Sequence, residues 1–270
     1  DVPGVGKTSI AEALSKSFDV KYSRMQFTPD LLPTDILGVS IYNPKTMDFE
    51  FRKGPIFSNI VLVDEINRAS PKTQAALLEA MEENRVSEGL TSYDLDEPFI
   101  VLATQNPIES EGVFILPEAE LDRFIISIEI GYPDLKSEIE MLKSSKKGKL
   151  LKNVASKEDL IKVQSEVMDI YVSDDIHSYI VRLSRETRKY EEIKIGISPR
   201  GTLALLNLSK ASAYIKGREY VIPEDVRENV KNAFSHRIIL SDRILDSKKK
   251  RDEILTKIIE RVSIENLDVI

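Results

Sequence analysis

Apolar positions change their spacing about halfway along the chain. In the first half short β-rich runs alternate with helical patterns, which predicts an α/β unit with a mostly parallel sheet. Between Thr8 and Phe18, the residues Ile10, Ala11, Ala13, Leu14 and Phe18 recur at helical spacing. Strands are predicted over Lys21 to Phe27, Ile60 to Val63, Phe99 to Thr104 and Phe124 to Ile130. The run Ile60-Val61-Leu62-Val63 is continuously apolar, as expected of a strand covered on both faces. A β-hairpin is predicted from Ile41 to Arg52, turning at Asn43-Pro44-Lys45-Thr46, with Phe49 and Phe51 alternating with charged residues. Such a ribbon is either half-buried or projects to meet a partner, and the pattern weighs the two equally. Ser70-Pro71 opens a helix, since Ser70 can cap free amides and Pro71 suits the first helical position. Its apolar face is expected to carry Ala75, Leu78 and Met81, and a second ribbon spans Arg85 to Tyr93.

From Tyr132-Pro133 onward the pattern is helical: Leu135 to Ser144, Lys157 to Tyr171, Ser173 to Lys189, Pro199 to Ile215 and Pro223 to His236. The expected organisation is therefore an α/β core over 1–132 and an all-helical part over 133–270. Lys143 to Lys149 reads as a solvated linker and Lys248-Lys249-Lys250-Arg251 as an exposed helix face.

Composition narrows the chemistry. A chain of 270 residues, 41% hydrophobic and 31% charged, is that of a globular protein of one or two domains. The formal net charge of -7 speaks against a nucleic-acid surface. With no cysteine, disulfides, thiolate metal sites and a cysteine nucleophile are excluded. Only His177 and His236 are present, far apart in sequence, which disfavours a histidine zinc site. No apolar run is long enough to span a bilayer, and no signal-peptide pattern opens the chain. Asp1 falls inside a phosphate-loop motif that normally follows a buried strand, so that leading strand is expected to be missing.

That motif is Asp1-Val2-Pro3-Gly4-Val5-Gly6-Lys7-Thr8, matching G-x-x-x-x-G-K-[ST] except that Asp1 replaces the first glycine. Gly4 and Gly6 let the nucleotide-binding loop from Pro3 to Ser9 curl so that its N–H groups, from Gly4 onward, surround a phosphate at a helix mouth. Lys7 would reach the β- and γ-phosphates of ATP, and Thr8 would offer its hydroxyl to Mg²⁺. The strand Ile60 to Val63 then runs into Asp64-Glu65. A strand-end aspartate can hold the Mg²⁺ shell, and an adjacent glutamate can act as general base on the attacking water. A third strand ends in Thr104-Gln105-Asn106, where Asn106 could orient that water or could simply form a turn before Pro107. Arg123 precedes a predicted strand, and Arg200 follows Ser198-Pro199 at a helix start. In isolation both read as surface arginines; phosphoryl transfer would use them to offset charge on the γ-phosphate.

Taken together these residues resemble the AAA+ superfamily and, within it, the MoxR family. The resemblance is carried by Arg24-Met25-Gln26-Phe27-Thr28-Pro29-Asp30-Leu31-Leu32-Pro33, Gly54-Pro55-Ile56-Phe57 and Asp64-Glu65-Ile66-Asn67-Arg68-Ala69. It continues through Leu77 to Glu83, Ala103-Thr104-Gln105-Asn106-Pro107 and Leu116-Pro117-Glu118-Ala119-Glu120-Leu121-Asp122-Arg123-Phe124. It covers nearly all of the first half, and the helical half mainly through Ser198-Pro199-Arg200-Gly201. The resemblance implies a cytoplasmic ATPase with a P-loop core, a helical lid over 133–270 and a homo-oligomeric, usually hexameric, ring. Lys7 and Thr8 then correspond to Walker A, Asp64 and Glu65 to Walker B, and Asn106 to sensor 1. Arg123 corresponds to the arginine finger acting on the adjacent subunit's nucleotide, and Arg200 to sensor 2. The first ribbon falls where this clade carries its helix-2 insert. Family members act as chaperone-like motors on client proteins, among them proteins with von Willebrand A domains. A magnesium-chelatase-like motor shares the clade, and a nucleotide-gated scaffold without turnover is the rival of a different kind. A GTPase is disfavoured by the lack of an Asn-Lys-x-Asp segment, and a DNA motor by the acidic balance.

Overall fold

The computed structural model describes residues 4–105, 113–114, 116–144, 152–242 and 247–263. It comprises two compact units, Asp1–Leu116 with Glu129–Lys162, and Pro117–Ile128 with Val163–Ile270. The chain passes in order through α1 (Lys7–Phe18), β1 (Tyr22–Gln26), α2 (Pro33–Leu37), β2 (Gly38–Asn43), β3 (Asp48–Lys53) and β4 (Ile60–Asp64). A 3-10 turn (Ile66–Arg68) leads to α3 (Pro71–Glu83), β5 (Arg85–Glu88), β6 (Thr91–Asp94) and β7 (Ile100–Ala103). Then come α4 (Glu118–Leu121), α5 (Leu135–Ser144), α6 (Lys157–Met168), α7 (Asp174–Lys189) and β8 (Ile193–Ile195). Last are α8 (Pro199–Ile215), α9 (Pro223–Phe234), β9 (Ile239–Leu240) and α10 (Lys248–Arg261). No helix among the described residues is long and apolar enough to cross a membrane.

The first unit is built around a parallel sheet ordered β1-β4-β7. Every residue of β4 is buried, which is why its sequence is an unbroken apolar run up to Asp64. Asn59, one residue before β4, is buried and aligns the amino ends of all three strands. Its side chain accepts from the Lys21 amide at 3.2 Å and donates to the carbonyls of Asp96 at 3.2 Å and Pro98 at 3.0 Å. Burying an amide is tolerated because each of those bonds is made. With the starts aligned, Gln26 lies opposite Asp64, and Val63 opposite Ala103.

Helix α3 begins as expected, with the Ser70 side chain accepting the Thr73 amide. Its buried face differs from the expected one: Thr73, Gln74, Leu77, Leu78 and Ala80 point inward, and Ala75 faces solvent. Gln74 holds a core position because its amide nitrogen donates to the carbonyls of Ile66 and Ala69, each at 3.1 Å. Leu78 is buried as expected, while Gln74, hydrogen-bonded through its amide nitrogen, takes the inward position in place of Ala75. The hairpin β2–β3 pairs Tyr42 with Phe49. At its base Phe51 stacks on Tyr93 of the second ribbon with centroids 4.4 Å apart, while at its tip Met47 is 75% and Phe49 67% exposed. The ribbon is thus packed at its base and exposed at its tip.

The second unit has its own core, formed by Tyr179, Ile180 and Leu183 of α7, Leu205 of α8, Val226, Val230 and Phe234 of α9, and Ile254, Leu255 and Ile258 of α10. Ser173, Ser198 and Ser247 each cap a helix by accepting an amide of its first turn. The short antiparallel pair β8–β9 was not expected from the sequence. Conversely, the strand expected over Phe124 to Ile130 does not form. Its backbone is satisfied otherwise: the Ser127 amide donates to the Asn232 carbonyl at 3.0 Å, and the carbonyls of Phe124 and Ile125 accept from side chains following α9.

One of those side chains is His236, whose Nε2 lies 2.9 Å from the Phe124 carbonyl. A carbonyl only accepts, so the proton sits on Nε2. Nδ1 is buried and has no hydrogen-bond partner among the described residues. Protonating it would bury an unpartnered N–H beside Arg237. Burial, followed by the Arg237 charge, pushes the histidine from its ordinary 6.5 down to about 4. The unfolded chain therefore binds the proton more readily than the folded one between those values, and stability falls as pH drops through that window. Between pH 8 and pH 5 the wild type is expected to lose about 2 kcal/mol more than His236→Gln. Urea unfolding of both proteins at the two pH values checks this, and equal losses would remove His236 from the role.

Candidate functional site

The amino end of α1 is prepared for an anion. Gly4 and Gly6 adopt φ of +84° and +93°, a region that side chains rarely enter. Gly6 is the N-cap residue and supplies no side-chain cap, and no acidic residue lies in the first turn, which leaves the positive end of the helix dipole uncompensated by side chains there. Lys7, Thr8 and Ser9 form this first turn, with Val5 in the loop before it. Pro3, at the start of the predicted loop, lies outside the described residues. α1 packs against β4, the strand that ends in the paired acids.

At the end of β4, Asp64 is only 7% exposed. Glu65 follows with φ of +57°, the left-handed region, and turns the chain into the 3-10 turn. For a residue other than glycine this conformation costs about 1 kcal/mol and persists only where its surroundings enforce it. Thr104, at the end of the neighbouring β7, does so. Its hydroxyl accepts the Glu65 amide at 3.0 Å and donates to Asp64 Oδ1 at 3.4 Å. Its own amide donates to the Val63 carbonyl at 2.9 Å, and its carbonyl accepts the Ile66 amide at 3.0 Å.

β1 holds the acids from the other side. Arg24 Nε donates to Asp64 Oδ2 at 2.7 Å, and Gln26 Nε2 donates to Glu65 Oε2 at 2.7 Å. Arg68, in the 3-10 turn, donates to the same Glu65 oxygen at 3.1 Å. Sequence reasoning assigned no role to Arg24, Gln26 or Arg68. The available signal was the alternation of polar Arg24 and Gln26 about buried Met25, which places both on one face of β1.

The donor set suits Mg²⁺. No group of three or more His, Cys, Asp or Glu able to hold a metal exists among the described residues. A cation held by Thr8 and Asp64 would complete its shell with water and phosphate oxygens, an arrangement that suits Mg²⁺. Asn106 lies outside the described residues. Arg123 and Arg200 belong to the second unit. Arg123 follows α4 directly and lies near Glu120, whose carboxyl is pushed up by burial and pulled down by the Arg123 charge. Arg200 is the second residue of α8, behind Pro199 and the Ser198 cap.

The profile of the ATPase family associated with various cellular activities (AAA) matches residues 1–126, and that of the AAA lid domain matches residues 185–258. Fold and site thus define an AAA core followed by its lid. Over 243 residues the chain is 49% identical to the uncharacterized protein YeaC of Bacillus subtilis, covering 89% of this chain and 76% of that one. It is 37% identical over 279 residues to the chaperone MoxR1 of Mycobacterium tuberculosis, covering 100% of this chain and 74% of that protein. A crystal structure of a candidate ATPase from Cytophaga hutchinsonii matches with a TM-score of 0.87 and 39% identity, over 97% of this chain and 83% of that one. The chain belongs to the MoxR family of AAA+ ATPases.

Thr104 is expected to be the structural keystone of the acid pair. Thr104→Val keeps its shape but leaves the Glu65 amide without its acceptor, which should lower stability by about 1–2 kcal/mol in urea unfolding. Thr104→Ser, which keeps the hydroxyl, should lose less. Equal losses in the two variants would assign the effect to packing instead.

Proposed function

We propose that the protein hydrolyses ATP in the presence of Mg²⁺, within a homo-oligomeric ring, and that turnover remodels or matures a client protein. The observation that carries this reading is the Asp64-Glu65 pair at the carboxyl end of the central strand, against which the glycine-opened helix α1 packs. Ligands of parallel sheets bind outside the carboxyl ends of their strands.

In this reading the loop from Pro3 to Ser9 surrounds the phosphates with its N–H groups, from Gly4 onward, and Lys7 offsets their charge. Thr8 and Asp64 hold Mg²⁺, which when bound neutralises charge on the phosphate oxygens. Glu65 takes the proton from the attacking water, and Asn106 orients that water. Arg123 stabilises the γ-phosphate of the adjacent subunit's nucleotide, and Arg200 senses its own. Partner contact falls to the exposed tip of the β2–β3 hairpin, where Tyr42, Met47 and Phe49 leave apolar surface open. The relative from Mycobacterium tuberculosis that carries the name chaperone supports a client protein as the object of the work.

Glu65→Gln in the full-length protein is expected to bind ATP within a few-fold of the wild type and to hydrolyse it at least about a hundredfold more slowly. Undiminished turnover would falsify the assignment. Subunits carrying Arg123→Ala and subunits carrying Lys7→Ala should each be nearly inactive alone. Mixed, they should regain turnover, because a Lys7→Ala subunit can lend Arg123 to an intact nucleotide site. Failure of the mixture to recover would place Arg123 in its own subunit's site.

A further inference from the structure

Asp122, the residue before Arg123, is held by an unusual number of partners. Its carboxylate accepts from the Ser198 hydroxyl at 3.0 and 2.8 Å, and from Arg237 Nε at 2.9 Å. Ser198 is the N-cap of α8, so one hydroxyl both accepts the Gly201 amide at 3.0 Å and donates to Asp122. Arg237, its side chain only 2% exposed, spends its other N–H groups on backbone. NH1 donates to the carbonyls of Ile125 at 3.0 Å and of Ala233, and NH2 to those of Asp122 at 3.1 Å and Phe124. These are all five guanidinium donors, and four of the five meet residues 122–125.

The first turn of α8 is shaped to receive this guanidinium. A Cβ at Gly201 would lie 2.9 Å from Arg237 Cδ and 2.9 Å from Ile197 Cγ2, closer than side chains approach. Arg200 occupies the same turn, between Ser198 and Gly201. A buried ion pair is a weak source of stability, and its best-attested use is to select one arrangement over others. Here the arrangement selected joins the Arg123 segment, which has no regular structure of its own, to the helix start that carries Arg200.

We propose that Asp122, Ser198 and Arg237 are positioning residues that brace the Arg123 segment against the first turn of α8, so that Arg123 and Arg200 move as one body. The proposal rests on the reading that these two arginines meet nucleotide phosphates. If Arg123 serves the adjacent subunit's ATP and Arg200 its own, the brace passes the state of one nucleotide site to the next within a single unit of the fold.

The test uses the full-length assembled protein and measures kcat and ATP affinity separately. Ser198→Ala and Asp122→Asn are expected to lower kcat about tenfold and to leave nucleotide affinity within about twofold. Ser198→Thr, which keeps the hydroxyl, should restore turnover. Ser173→Ala is the matched control: it removes an equivalent serine cap, on α7, that has no link to Asp122, and should leave kcat within about twofold. In an Arg123→Ala background, adding Ser198→Ala should cost nothing further, because the brace acts through Arg123. Multiplying losses in that background, or a Ser173→Ala defect as large as that of Ser198→Ala, would overturn the brace and leave the role of Arg123 standing. Full turnover in Arg123→Ala itself would overturn the role of Arg123 and the brace together.

Discussion

The site depends on one constraint, that β4 is hydrogen-bonded along both edges and buried on both faces. A strand so enclosed cannot slide or rotate without breaking ladder bonds on two sides, and a one-residue slip would turn Asp64 to the opposite face. Asn59 fixes the amino ends of the three strands, and Thr104 ties the carboxyl ends of β4 and β7 together. Because the strands are parallel, their carboxyl ends emerge together, and the acids, Gln26 and Thr104 converge there without any loop having to carry them. The left-handed conformation of Glu65 is tolerated for the same reason. Backbone bonds from Thr104 to Val63 and Ile66 leave the residues between them little freedom to relax.

The second unit uses buried charge in two different ways. Asp225 is fully buried, accepts the Ile222 amide at 3.0 Å and pairs with Arg218 and Lys216. Burial pushes its carboxyl up, but those partners outweigh burial and hold it below the usual range. This acid secures the start of α9, where regular structure already exists. Asp122 and Arg237 act where regular structure is absent, replacing a strand ladder with a guanidinium. Burial lowers the Arg237 pKa, Asp122 raises it, and the neighbouring Arg200 charge lowers it again. The same carboxylate thus lets two arginines share one helix start.

What was legible in the sequence follows from how local its cause is. Burial on both faces writes itself as the run Ile60 to Val63, and serine before proline marks the starts of α3 and α8. The phosphate loop is equally local, since Gly4, Gly6 and the residues they serve are adjacent. Features set by distant partners were not legible. Arg24 and Gln26 meet their acids only because β1 lies beside β4, a pairing about 40 positions apart that alternation alone cannot reveal. The segment from Phe124 looked like a strand because its apolar residues favour one, yet its carbonyls are taken by His236 and Arg237, more than 110 positions onward. Gln74 broke the expected stripe of α3 by satisfying two carbonyls in the core. The strands β8 and β9, of three and two residues, are too short to leave a pattern.

The acids are therefore held in two distinct manners, and the difference has a functional logic. Thr104 holds them through its short hydroxyl and through backbone bonds to Val63 and Ile66, and as part of the sheet it is fixed in place. Arg24 and Gln26 reach them through long side chains, and Arg24 is 53% exposed. The Asp64 side chain is only 11% exposed, so an incoming cation can exchange the open guanidinium where it replaces the charge that Arg24 supplies. Donors meet both Asp64 oxygens and Oε2 of Glu65, which gives the carboxylates a defined direction. They remain able to trade those donors for others. For the chemistry proposed, the end of β4 thus combines a backbone held still by the sheet with side-chain donors that can be exchanged.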